Sequence, residues 1–157
     1  MPPTDRFVSE ATFYVRYAET DAMGIVHHAV YIVYFEEARS HFSRELGASY
    51  AEFERSGYWL TVAEVQARYA VPARYGQQLV ARCWIEDLKS RAITFGYEIA
   101  DANSGTVHVT GRSHHVCITH DGQVVRIPEA WVSAMRRGLP QHQADHSGTS
   151  RPISPTS

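Results

Sequence analysis

One aspartate stands apart from the chain's other acids by its setting. Asp21 lies in a turn-forming stretch, Glu19-Thr-Asp-Ala-Met-Gly-Ile-Val26, just ahead of an aromatic-rich run. Gly24 follows it by three positions, His28 by seven and Tyr31 by ten, and Tyr17 precedes it by four. A helix that begins near His28 offers unpaired backbone N–H groups and a partial positive charge in its first turn. A carboxylate beside that point meets the needs of attack on a carbonyl carbon: a base or nucleophile on one side, donors for the developing oxyanion on the other. Gly24 permits the sharp turn that would bring the acid over the helix start. The same aspartate could instead cap the helix or close an Asx turn. The residues alone leave both readings open.

The elements that must position these groups follow from the hydrophobic pattern. Residues 12–18 are aromatic and β-branched and read as a strand. From Ala29 to Leu46 the period changes: Tyr31, Tyr34, Phe35, Ala38, Phe42 and Leu46 fall at helical spacing, and Gly47 is a natural stop. A helix of that length spans roughly 27 Å. Residues 50–55 suit a short second helix. Strands are expected over 59–69, 78–88, 92–100 and 106–119, divided by Pro72 and Gly76, by Lys89-Ser90-Arg91, and by the turn at residues 101–105. A short helix over 128–137 closes the pattern. The order of one strand, one long helix and then four strands predicts an antiparallel α+β domain. Five strands leave edges, so pairing of sheets between subunits is expected. Residues 1–10 read as an extension, 11–138 as the domain, and 139–157, rich in Pro, Ser, Thr, Gln and His, as a disordered tail.

Composition narrows the function classes. The 157 residues suffice for one domain with a real core. A net charge of -2 gives no general attraction for nucleic acid or acidic membranes. No apolar run approaches the roughly 20 residues of a membrane span. The N-terminal residues lack the pattern of a signal peptide, so the cytoplasm is the expected compartment. Cys83 and Cys117 sit in apolar runs and read as buried free thiols.

The stretch from Tyr17 through Asp21, Gly24 and His28 to Tyr31, running into Tyr34-Phe-Glu-Glu-Ala-Arg39, resembles the hotdog-fold acyl-CoA thioesterases. Its nearest likeness is to the branch holding 4-hydroxybenzoyl-CoA thioesterase and the Tol-Pal-associated thioesterases. The resemblance continues at Tyr69-Ala-Val-Pro72-Ala-Arg-Tyr75 and around Lys89-Ser90-Arg91, and covers roughly residues 10–135. It implies a hotdog fold, a five-stranded antiparallel sheet wrapped around one long helix. It also implies a homodimer or homotetramer with active sites at the dimer interface, and hydrolysis of an acyl-CoA to free acid and CoA. By this resemblance Asp21 is the base or nucleophile, with His28 and Tyr17 as its catalytic companions. Tyr17 would hold Asp21 or the water, and His28 would orient the water and lend its N–H.

Gly24, Tyr31 and the basic turn Lys89-Ser90-Arg91 are the candidate substrate-binding residues, the turn as a contact for the CoA phosphates. Glu36 and Glu37 read as charges on the helix face. Nine histidines invite a metal, but no spacing matches a structural zinc site, and the neighbours His114 and His115 point to opposite faces of a strand. No metal or cofactor is expected. The alternatives are a non-catalytic acyl-CoA-binding module on the same fold, an acyl-carrier-protein thioesterase, and a hydratase. The last lacks its usual Asp/His pattern here.

Overall fold

The computed structural model describes residues 1–140. Strand β1 (Ser9–Tyr14) leads through a 3₁₀ turn (Tyr17–Glu19) and a loop to helix α1 (Val30–Glu45). Helix α2 (Tyr50–Arg55) follows. Then come β2 (Tyr58–Tyr69), β3 (Gln78–Leu88), β4 (Ala92–Asp101), β5 (Val107–Thr119) and helix α3 (Glu129–Arg136). All strand pairs are antiparallel, in the order β1-β3-β4-β5-β2.

Helix α1 lies against one face of this sheet. Its buried residues are Tyr31, Tyr34, Phe35, Ala38, Phe42 and Ser43. The first five fall at the expected helical spacing. Ser43, which follows Phe42 and lies outside that spacing, is fully buried as well. Phe35 stacks on Tyr97 of β4, with ring centroids 4.5 Å apart and an interplanar angle of 8°. The approach is close because β5 carries Gly111 beneath the helix. A Cβ there would lie 2.5 Å from the Gln66 carbonyl oxygen and 2.6 Å from the Phe35 ring.

The N-terminal part of the fold departs from the sequence pattern. The first strand stops at Tyr14, so Tyr17 and Ala18 leave the sheet. Local side-chain bonds displace the ladder. Glu19 Oε1 accepts the Arg16 N–H at 2.8 Å, and the Thr20 hydroxyl donates to the Tyr17 carbonyl at 2.7 Å. These bonds wind residues 17–19 into a turn. At the C-terminal side, Leu139 donates its N–H to Arg136 and packs on the core. Phe7 packs on Phe42, and β1 begins at Ser9, ahead of residue 11. Most of the tail expected over 139–157 lies outside the described residues. Both cysteines are buried and free, as expected.

Candidate active site

The loop that carries Asp21 is fixed at both ends. Thr20 pairs with Val26, and Ile25 pairs with Arg74, as isolated antiparallel bridges. Within the loop, Asp21 donates its N–H to Ile25 and accepts from Gly24 through its carbonyl. Gly24 sits at φ +76°, a left-handed conformation that costs a side-chain-bearing residue about 1–2 kcal/mol. Beneath the loop, the Glu19 carbonyl accepts the His27 N–H at 3.0 Å, and the Glu19 carboxylate accepts the Tyr34 hydroxyl at 3.0 Å. Burial, and next the Glu19 charge, raise the Tyr34 phenol well above its ordinary value. Glu19 thereby clips the loop to α1. Nothing in the sequence pattern distinguished it from a surface acid.

Asp21 Oδ1 accepts the Met23 N–H at 2.8 Å, closing an Asx turn. Its Oδ2 takes no hydrogen bond among the described residues. The expected catalytic acid and the expected turn residue are thus one and the same. The helix start is close to its expected place, with Ala29 as N-cap and no side-chain cap. His27 Nδ1 accepts the Ala29 N–H at 3.2 Å, and the His27 carbonyl accepts that of Val30 at 2.9 Å. The His28 N–H has no partner among the described residues. The His28 carbonyl accepts the Tyr69 hydroxyl at 2.9 Å, which ties this corner to the end of β2.

Asp21, His28 and Tyr31 line one cleft of about 270 Å³. Its other walls come from Met23, Ile25 and Val26 of the loop, from residues 69–72, and from His108 of β5. Tyr31 is 3% exposed; its hydroxyl accepts the N–H of fully buried Ala73 at 3.0 Å. Burial raises its phenol as well. Its ring thus serves the cleft wall while its hydroxyl secures the neighbouring backbone.

The remaining candidates lie elsewhere in the single chain. Tyr17 is 78% exposed, packs edge-on against Tyr75 at 5.7 Å, and makes no hydrogen bond through its hydroxyl among the described residues. No hydrogen bond among the described residues joins it to Asp21, and the turn that takes it off β1 leaves its side chain exposed. Gly24 shapes the loop and does not line the cleft. Lys89 and Ser90 border a different groove, beside Arg126 and Glu129 of the C-terminal region, and Lys89 faces Asp87 at 3.6 Å. Arg91 is exposed in the same turn. Sequence reading did not single out His108 or Tyr69 as site residues; the only pointer to Tyr69 was the resemblance over residues 69–75. No group of three or more His, Cys, Asp or Glu residues among those described is arranged to hold a metal ion.

A five-stranded antiparallel sheet over one long helix, with an acid-bearing loop at the helix start, is the hotdog architecture. The chain belongs to the Thioesterase-like superfamily, whose profile matches residues 15–135. Over 111 residues it is 37% identical to YneP of Bacillus subtilis (strain 168), which is provisionally named an acyl-CoA thioesterase; the match spans 71% of this chain and 80% of that one. Solved structures share the fold. The hypothetical protein TT1821 from Thermus thermophilus superimposes with a TM-score of 0.79 at 36% identity, covering 83% of this chain and 98% of that one. The DHNA-CoA thioesterase from Staphylococcus aureus does so with a TM-score of 0.78 at 30% identity, covering 81% and 87%.

Proposed function

We propose that this protein is an acyl-CoA thioesterase whose reaction runs in the cleft beneath the 20–28 loop. The observation that carries the reading is the meeting, around one apolar cleft, of a carboxylate with one oxygen and a helix-start N–H that have no partner among the described residues. The names of YneP and of the Staphylococcus aureus enzyme point the same way.

The thioester carbonyl oxygen lies against the His28 N–H and the first turn of α1, whose partial positive charge favours the oxyanion. Asp21 acts as base or as nucleophile. As base, its Oδ2 takes a proton from water while the water oxygen bonds to the carbonyl carbon. As nucleophile, Oδ2 bonds to that carbon itself and forms an anhydride that water then cleaves. In both routes the C–S bond breaks and its electron pair leaves on the CoA sulfur. A thiol with a pKa near 8.5 departs without strong acid help, so one carboxylate and one helix end suffice. The His28 ring orients the water.

The finer points belong to the same reading. The protein acts as a homodimer or homotetramer, with Lys89, Ser90 and Arg91 meeting the CoA phosphates at a site completed by a second subunit. Tyr17, outward-facing in one chain, takes its supporting role there. The two free thiols suit a reducing cytoplasm.

The test is a panel of acyl-CoA esters with a thiol-trapping dye. Wild-type protein should release CoA from at least one ester. Asp21→Ala and Asp21→Asn should each lower kcat by about a hundredfold or more while circular dichroism and Tm stay close to wild type. Unchanged turnover in both variants defeats the assignment of Asp21.

A further inference from the structure

Two residues that do not line the cleft, Glu19 and Tyr34, tie its parts together. Glu19 stands two positions before Asp21. Its N–H donates to the Arg16 carbonyl at 3.0 Å, and its carbonyl accepts the His27 N–H at 3.0 Å. Its Oε1 accepts both the Arg16 N–H at 2.8 Å and the Tyr34 hydroxyl at 3.0 Å. Tyr34, in the second turn of α1, is 3% exposed. Its ring centroid lies 4.7 Å from that of Phe13 on β1, and its ring meets Tyr31 edge-on at 5.8 Å. The buried hydroxyl is therefore a fixed point to which Glu19 is moored.

The turn at residues 27–30 closes on itself: the His27 carbonyl takes the Val30 N–H, and the His27 ring takes that of Ala29. Those bonds shape the turn without placing it against Asp21. The bond from His27 to the Glu19 carbonyl does place it, and with the bond from Asp21 to Ile25 it makes up the Thr20–Val26 pairing. That pairing joins the two arms of the loop to each other. The Tyr34 bond then joins the arm that carries Asp21 to the body of α1. A thioester whose carbon meets Asp21 while its oxygen meets the His28 N–H depends on this spacing, since a misplacement of about 1 Å can cost about a hundredfold in rate. Resting on the reading of this cleft as a thioesterase site, we propose that Glu19 and Tyr34 are positioning residues: the bond between their side chains sets the distance from Asp21 to the His28 N–H. In this role neither touches the substrate. What Glu19 supplies is an acceptor oxygen at a fixed place, and a glutamine oxygen can accept the same two bonds.

The test compares Glu19→Ala, Glu19→Gln, Tyr34→Phe and the double variant carrying Glu19→Ala and Tyr34→Phe, all in the full chain. Each is assayed well below its Tm with the acyl-CoA ester that the wild type cleaves fastest. Glu19→Ala and Tyr34→Phe should each lower kcat by about tenfold while KM stays within about twofold of wild type. The double variant should lose no more than Glu19→Ala does, because both changes remove the same bond. Glu19→Gln should keep kcat near wild type. Amide exchange at His27, followed by NMR with no substrate present, should quicken by about tenfold in Glu19→Ala and Tyr34→Phe, and by less in the middle of β4. If Glu19→Ala does not fold, Tyr34→Phe is read against Glu19→Gln. Unchanged kcat in both single variants overturns the proposal. So does a raised KM at constant kcat, a loss in Glu19→Gln equal to that in Glu19→Ala, or losses that multiply in the double variant. A wild type that cleaves no ester sinks the thioesterase reading instead. The His27 exchange rates then decide this one, and equal rates in all the proteins overturn it.

Discussion

Asp21 commits one oxygen to the Met23 amide and keeps the other without a partner among the described residues. The turn bond fixes the orientation of the carboxylate, which is how a single short loop can hold such a group still. The same division of labour recurs at Tyr31, whose ring faces the cleft while its hydroxyl accepts the Ala73 N–H. Tyr31→Phe keeps the ring and leaves that buried amide without its acceptor. The expected loss is about 1–3 kcal/mol of stability, read as a lower midpoint in urea unfolding; an unchanged midpoint would show that Ala73 finds another partner. At this scale the sequence pattern exposed Asp21, His28 and Tyr31, because they crowd into one stretch. It placed Tyr17 on the first strand, whereas the Glu19 and Thr20 side-chain bonds carry it into the turn that follows. It passed over His108, which reaches the cleft only through the pairing of distant strands.

Between elements, polar groups thread the layer that packs α1 on the sheet. The half-buried Arg39 guanidinium donates to the Tyr97 hydroxyl at 3.1 Å; Tyr97 and Ser113 oxygens are 2.5 Å apart; and Ser113 lies 2.6 Å from His115 Nε2. Arg39 can only donate, so the Tyr97 hydroxyl accepts from it, and the Ser113 hydroxyl links Tyr97 to His115. Burial first, and then the Arg39 charge, lower the His115 pKa from 6.5 to about 3. The sign of the linkage follows. Above pH 6.5 the ring is neutral in folded and unfolded chains alike. Between 6.5 and about 3 only the unfolded chain takes the proton, so stability falls as pH falls across that window. His115→Gln cannot take a proton, and its unfolding free energy should decline less steeply over the same range. Parallel declines would locate the acid sensitivity elsewhere. Gly111 makes a second test of this layer. Gly111→Ala puts a methyl into the Gln66 carbonyl and the Phe35 ring. Overpacking of this kind costs about 1–3 kcal/mol, and a Tm within a degree of wild type would mean that α1 can shift without loss.

The whole molecule leaves β1 and β2 at the margins of its sheet. On the outer reach of β2, Trp59, Val62 and Tyr69 are each about half exposed. If the proposed assembly forms there, sedimentation should show a species of at least twice the 17.7 kDa chain mass. Val62→Lys should shift the balance toward monomer, since a charge on an edge strand opposes pairing. A wild-type monomer at all concentrations would remove the proposed shared site. Much of this architecture was legible beforehand. Strands 78–88 and 58–69 stand within a residue of the expected bounds, because Pro72, Gly76 and the Lys89 turn punctuate them clearly. Register was not legible. The irregularities between Val62 and Glu64 and between Ile99 and Ala100 decide which strand residues become neighbours, and no local pattern announces them.

The segment from Ala70 to Arg74 is anchored from several sides: Tyr31 holds the Ala73 amide, Val26 holds its carbonyl, His108 holds Val71, and Ile25 pairs with Arg74. The loop that carries Asp21 and the wall opposite it are therefore braced to one another as parts of a single truss. Such a frame has little freedom to close around whatever enters. It behaves as a fixed gauge, admitting or refusing a guest by its outline.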